Sequence, residues 1–135
     1  MSFADNVRKN FNPPAAPKPD PQALNRLAVS VVEQMKQKLM ANARAGKTAV
    51  CHPGLGIVKK KCVEATWGVA YDPKYTPKGQ TVIRKGEDED YPVAHDRQAA
   101  RALADLMEPL CRQEGILMEF RPSSTGAGYI FRILL

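Results

Sequence analysis

One pattern constrains this chain more than any other: between Leu24 and Leu39, apolar side chains return every three or four residues. Leu24, Leu27, Val31, Met35 and Leu39 line one helical face, and Ala28 and Val32 broaden it. Asp20 can cap the start, Pro21 suits the first turn, and Gly46 supplies the stop. About 25 residues at about 1.5 Å each make a helix of nearly 40 Å. A chain of 135 residues affords a single core. A rod this long then serves as the backing for a sheet.

The period changes after Gly46. Residues 48–52 (TAVCH) suit a strand that His52-Pro53-Gly54 breaks. Over residues 57–71, Ile57, Val63, Ala65, Trp67, Val69 and Tyr71 share one parity, interrupted by Lys59 and Lys61. A loop with two prolines follows, then a short strand at 81–84 and an acidic turn, Glu87 to Asp90. A second helix is predicted from Asp96 to Gly115, with Ala100, Leu103, Met107, Leu110 and Cys111 on its apolar face and a kink or restart at Pro109. Residues 116–121 and 129–135 then form a hairpin around a loose loop of about six or seven residues, PSSTGAG. The expected fold class is α+β: a mostly antiparallel sheet packed against two helices, with a C-terminal β-hairpin and a flexible proline-rich N-terminal tail.

The tail is residues 1–20 and the domain residues 21–135. Five prolines between Pro13 and Pro21 make a semi-rigid spacer. Upstream, Phe3, Val7 and Phe11 fall on one helical stripe, and Ser2 with Asp5 has capping-box spacing. Such a helix on a tether either docks on a partner or a second copy, which would make a homo-oligomer, or frays and folds back on its own core.

Charge is unevenly spread. Residues 57–85 hold seven basic and two acidic groups, whereas residues 86–96 hold five acidic groups and no Lys or Arg. In the basic stretch Lys59, Lys60, Lys61, Lys74, Lys78, Arg84 and Lys85 alternate with Trp67, Tyr71 and Tyr75. Ammonium groups neutralise phosphates and aromatic rings stack on unpaired bases, so the segment is the candidate nucleic-acid surface, with Tyr71 or Tyr75 stacking. The same pattern also suits core aromatics with lysines that blunt an edge strand.

Other motifs point away from catalysis. Ala45-Gly46-Lys47-Thr48 resembles the end of a phosphate-binding loop, but Ala41 stands where that loop needs glycine and the helix precedes the strand. Cys51, His52, Cys62, His95 and Cys111 have no compact metal spacing, and adjacent Cys51 and His52 point to opposite faces of a strand. A Cys–His pair between distant segments, Cys51 with His95 for example, is left to test. Ser123, Ser124, Thr125, Gly126 and Gly128 make a polar loop that suits an anion or a plain hairpin tip. No metal or cofactor is expected. No apolar run reaches the roughly 18 residues of a membrane span, and three cysteines without a CxxC suggest a reducing cytoplasm.

The helix running into Ala43–Val50 (ARAGKTAV) and the ending QEGILMEFRPSSTGAGYIFRILL resemble small accessory proteins encoded by bacteriophages and prophages. The resemblance spans two pieces and is one of architecture. It implies a protein that binds and redirects a host factor, and it carries over no catalytic residue. The expected function is non-enzymatic binding of nucleic acid, or of a nucleic-acid-handling complex, through the basic-aromatic segment. The alternative is a phage-encoded inhibitor or adaptor that grips a host protein, with Phe3, Val7 and Phe11 as its partner-binding residues.

Overall fold

The computed structural model describes residues 2–11, 21–52, 58–72 and 93–135. In chain order the elements are α1 (Phe3–Asn10), α2 (Pro21–Arg44), β1 (Ala49–Cys51), β2 (Lys60–Tyr71), β3 (Val93–Ala94), α3 (Arg97–Gln113), β4 (Leu117–Pro122) and β5 (Gly126–Leu134).

The fold is α+β with an antiparallel sheet, but the expectation of two helices is corrected: the described residues form three. The extra one is α1, in the segment read as a flexible tail. Local interactions hold it. The Asp5 N–H donates to Ser2 Oγ at 3.2 Å, Arg8 pairs with Asp5 at 3.3 Å, and Arg8 and Lys9 face the helix C-terminus. None of its residues is buried.

The long helix is as the periodicity dictates. α2 buries Ala23, Leu24, Ala28, Val31, Val32, Met35 and Leu39, with Leu27 half-buried beside them. It ends in a Schellman motif, the Gly46 N–H donating to the Ala43 carbonyl and the Lys47 N–H to the Asn42 carbonyl. α3 ends in the same way at Gly115, with Ile116 N–H donating to Cys111 O and Gly115 N–H to Arg112 O. Both glycines have positive φ, +69° and +71°, which other residues resist. At the other end of α3 the Asp96 carboxylate accepts from the Ala99 N–H at 2.9 Å. Pro109 does not divide this helix. Pro109 and Asp105, whose carbonyl loses its N–H partner to the proline, are both exposed residues.

The strands run in the order β1-β2-β5-β4, all antiparallel, and β3 pairs parallel with the far end of β2. β3 was not expected, and the strand expected at 81–84 lies outside the described residues. The odd-numbered face of β2 is the core face: Val63, Ala65 and Val69 are buried with Ala127, Tyr129 and Phe131 of β5 beneath α2 and α3. The opposite face carries an ion-pair ladder across three strands, Arg132 reaching Glu64 at 3.0 Å and Glu119 at 2.6 Å.

The C-terminal hairpin is tighter than expected. Its loop is residues 123–125, because Gly126, Ala127 and Gly128 are already in β5, paired with β2. Ser123 closes the turn: its N–H donates to the Gly126 carbonyl at 2.7 Å, and its Oγ accepts from the Gly126 N–H at 3.2 Å. Of the two readings of this loop, an anion cradle or a plain hairpin tip, the Ser123 hydroxyl follows the second, since it is committed to the turn.

Candidate functional site

The basic residues around the β1–β2 hairpin are placed by backbone pairing. Register sets Val50 opposite Lys61 and Cys51 opposite Lys60. Strand alternation sends Lys60 and Lys61 to opposite faces, so the three lysines straddle the ribbon rather than line one side. Lys59, Lys60 and Lys61 are all exposed.

Two further cations arrive at the same end of the sheet by way of α2. Arg44 closes that helix and Lys47 follows its Schellman turn, and the chain then enters β1 two residues later. Both are exposed. Asn42 ties the helix end to the strand, its Nδ2 donating to the Glu64 carbonyl at 2.9 Å. Sequence reading missed Arg44 and Lys47 as site residues. Gly46 was the available signal, since a helix stop directly before a strand turns the chain back beside the hairpin.

Ion pairs occupy several cations elsewhere on the described surface, while exposed Lys9, Arg26, Lys38 and Arg97 form none among the described residues. Arg101 is held by Asp105 at 3.3 Å, Arg112 by Glu108 at 2.7 Å and Arg121 by Glu119 at 2.7 Å. Lys36 bridges Glu33 and Glu114, both at 3.3 Å. Arg44, Lys47, Lys59, Lys60 and Lys61 form no ion pair among the described residues.

The aromatic half of the expected surface is elsewhere. Tyr71 closes β2 ten residues after Lys61, roughly 30 Å along the strand. It is half-buried and packs on the core, with its hydroxyl buried and without a hydrogen-bond partner among the described residues. Burial raises its pKa above the usual tyrosine value, with the charge of nearby Asp96 adding to the rise and Arg97 opposing it. Trp67 also packs on the core, 5.2 Å from the Tyr129 ring. Lys74, Tyr75, Lys78, Arg84 and Lys85 lie outside the described residues. Phe3 and Val7 on α1 and Phe11 at its C-cap stand 83%, 52% and 66% exposed.

The remaining nucleophile candidates do not assemble. Cys51 is registered against Lys60, while Ala94, next to His95, is registered against Tyr71. Eleven residues of β2 separate these positions, roughly 35 Å, too far for a Cys–His pair. Burial pushes the Cys62 thiol up to about 11, with its hydrogen bond to Cys51 as the second cause. Burial alone accounts for most of the rise of Cys111 to about 11. Both are thiols, not thiolates, at neutral pH. Among the described residues no group of three His, Cys, Asp or Glu side chains could hold a metal ion, and no helix is long and apolar enough to cross a membrane.

Comparison with protein-family models, with curated proteins and with solved structures finds no match for this chain.

Proposed function

We propose that the protein is a non-enzymatic binder of nucleic-acid backbone, acting in the cytoplasm through the basic end of its sheet. The observation that carries this reading is the set of five exposed cations, Arg44, Lys47, Lys59, Lys60 and Lys61, without a carboxylate partner among the described residues. Unneutralised cations at one end raise the local positive potential, and phosphates displace their counterions on binding. A two-stranded ribbon fits a nucleic-acid groove with a phosphate chain on either side, so lysines on both faces can each meet a phosphate. Tyr71 takes no part in this contact, which makes it one of charge rather than base stacking. The cytoplasmic setting is supported by three free, buried cysteines.

The test is oligonucleotide binding followed by anisotropy at roughly 50 and 200 mM salt. Affinity should fall steeply with salt, and Lys59→Ala/Lys60→Ala/Lys61→Ala should reduce the slope of log K against log salt by up to about 3 on duplex DNA. Tyr71→Phe should leave the slope unchanged. Absence of binding at the lower salt concentration refutes the reading.

A further inference from the structure

An apolar groove of about 260 Å³ opens between the C-terminal half of α2, the start of β2 and the end of β5. Leu39 and Val63 form its buried floor, and Met40, 54% exposed, and Leu135, 70% exposed, form its lips. Large apolar side chains left in water around a concave apolar surface mark a place where something docks. The same chain carries an unburied apolar stripe, Phe3 and Val7 on α1 and Phe11 at its C-cap. Size limits how much of that stripe enters. A cavity of roughly 150 Å³ accepts one benzene ring, so this groove takes one phenylalanine side chain and not two.

Chain length selects the ring and the groove. Ten residue steps join Phe11 to Pro21, at most about 35 Å fully extended and about 31 Å at the rise of a proline-rich chain. Met40 lies nineteen residues along α2 from Pro21, about 28 Å up the helix. The tether therefore just spans the distance, with Phe11 at its end. A linker whose length matches the span holds its end beside the site at an effective concentration in the millimolar range. A second copy competes only when the protein itself is that concentrated, so the chain's own groove fills first. One surface stripe of α2, Val29, Glu33, Lys36 and Met40, leads up to the groove at three- and four-residue intervals, and its apolar members Val29 and Met40 are both exposed. Charge agrees as well. α1 holds Asp5, Arg8 and Lys9, net positive by one, and the groove's rim holds Glu33, Lys36 and Glu114, net negative by one, a small attraction that salt screens.

We propose that the N-terminal helix folds back on its own chain as a strap, seating the Phe11 ring in the Met40/Leu135 groove with Val7 against its lips. The structure shows the open arrangement, with ring and lips both in water, and closure removes both from it. This inference is independent of nucleic-acid binding.

Methionine-methyl NMR of the full chain tests it. The Met40 methyl should lie upfield of a solvent-exposed methionine, shielded by the Phe11 ring, and should show NOEs to that ring. Its shift should be constant over a roughly hundredfold range of protein concentration, because the contact lies within one chain. Phe11→Ala should return the Met40 methyl to the exposed position, whereas Phe3→Ala should leave it upfield. The buried Met35 and Met107 methyls should be unmoved by either substitution, which shows that the core is intact. Deleting residues 13–17 leaves five steps, at most about 18 Å, short even of Lys36 at about 22 Å up α2, and should abolish the shift as Phe11→Ala does. A Met40 methyl indifferent to Phe11→Ala overturns the proposal. So does a shift that grows with concentration and survives the deletion, which would put the ring in a second copy, or one that is lost with Phe3→Ala and kept with Phe11→Ala.

Discussion

Two tyrosines on the core face of the sheet should respond to the same substitution with opposite signs. Tyr129 is fully buried, its ring centroid 5.2 Å from those of Trp67 and Phe120, and its hydroxyl donates to the Ala100 carbonyl at 2.7 Å. Burial holds that hydroxyl far above the usual tyrosine pKa, so it remains a donor at any working pH. Tyr129→Phe removes one neutral hydrogen bond. The Ala100 carbonyl, inside α3, keeps its helical bond, so the cost is that of the bond alone, about 1 kcal/mol. Tyr71 presents the reverse case, a buried hydroxyl with no partner among the described residues. Leaving such a group unsatisfied costs about 1–3 kcal/mol, so Tyr71→Phe should gain about 1 kcal/mol. The two variants then differ by about 2 kcal/mol. With a urea m-value of about 2 kcal/mol per molar, their midpoints lie about 1 M apart, about 0.5 M on either side of the wild type. Urea titration followed by circular dichroism and by Trp67 fluorescence measures this directly, and both probes should give coincident transitions. If Tyr71→Phe loses stability as Tyr129→Phe does, the Tyr71 hydroxyl has a partner in solution and the reasoning fails.

Two further outcomes follow from the sheet. Hydrogen bonds from Arg121 and then Arg132 hold the Glu119 carboxyl below its ordinary value of 4.5, so its contribution is present above that pH and is lost as pH falls through the lower folded-state value. Thermal melts should show stability falling on acidification below about pH 4.5, with a shallower fall for Glu119→Gln; equal slopes would show that the pairing is absent in solution. At Gly126 an added Cβ would run into the Val69 carbonyl, a backbone atom that cannot move aside, whereas at Gly128 the nearest atom is Arg121 O at 3.9 Å. Gly126→Ala should cost about 1–3 kcal/mol and Gly128→Ala close to none, as read from urea midpoints; similar costs would mean that β5 does not approach β2 so closely.

Much of the fold was legible because its signals are local. The α2 stripe and the odd-parity face of β2 repeat within a few residues, and that repeat determines which side of an element turns from water. Gly46 and Gly115 mark their helix ends for an equally local reason, since the backbone there needs positive φ. The short hairpin loop was missed because GAG reads as loop by composition. Gly126 serves a close approach between β5 and β2, some sixty residues apart in sequence, which composition does not register. The third helix was read from its stripe and cap as a short docking helix but left out of the fold's count of two, because eight residues with no buried face resemble a tail.

The candidate site divides along the same line. Which residues are cations and which are aromatic is written in the chain, and so is the apolar stripe of Phe3, Val7 and Phe11. Which of them meet was decided only by tertiary pairing. Lysines and Tyr71 that alternate along a sequence end up at opposite ends of one long strand, because an extended chain separates ten residues by roughly 30 Å. Arg44 and Lys47 instead lie just before β1, because a helix stop returns the chain to pair with the start of β2. The groove under Met40 and Leu135 draws its walls from α2, β2 and β5, and no local period predicts a surface made by three distant segments. Local periodicity determines the elements; only long-range packing places charges and hollows next to one another.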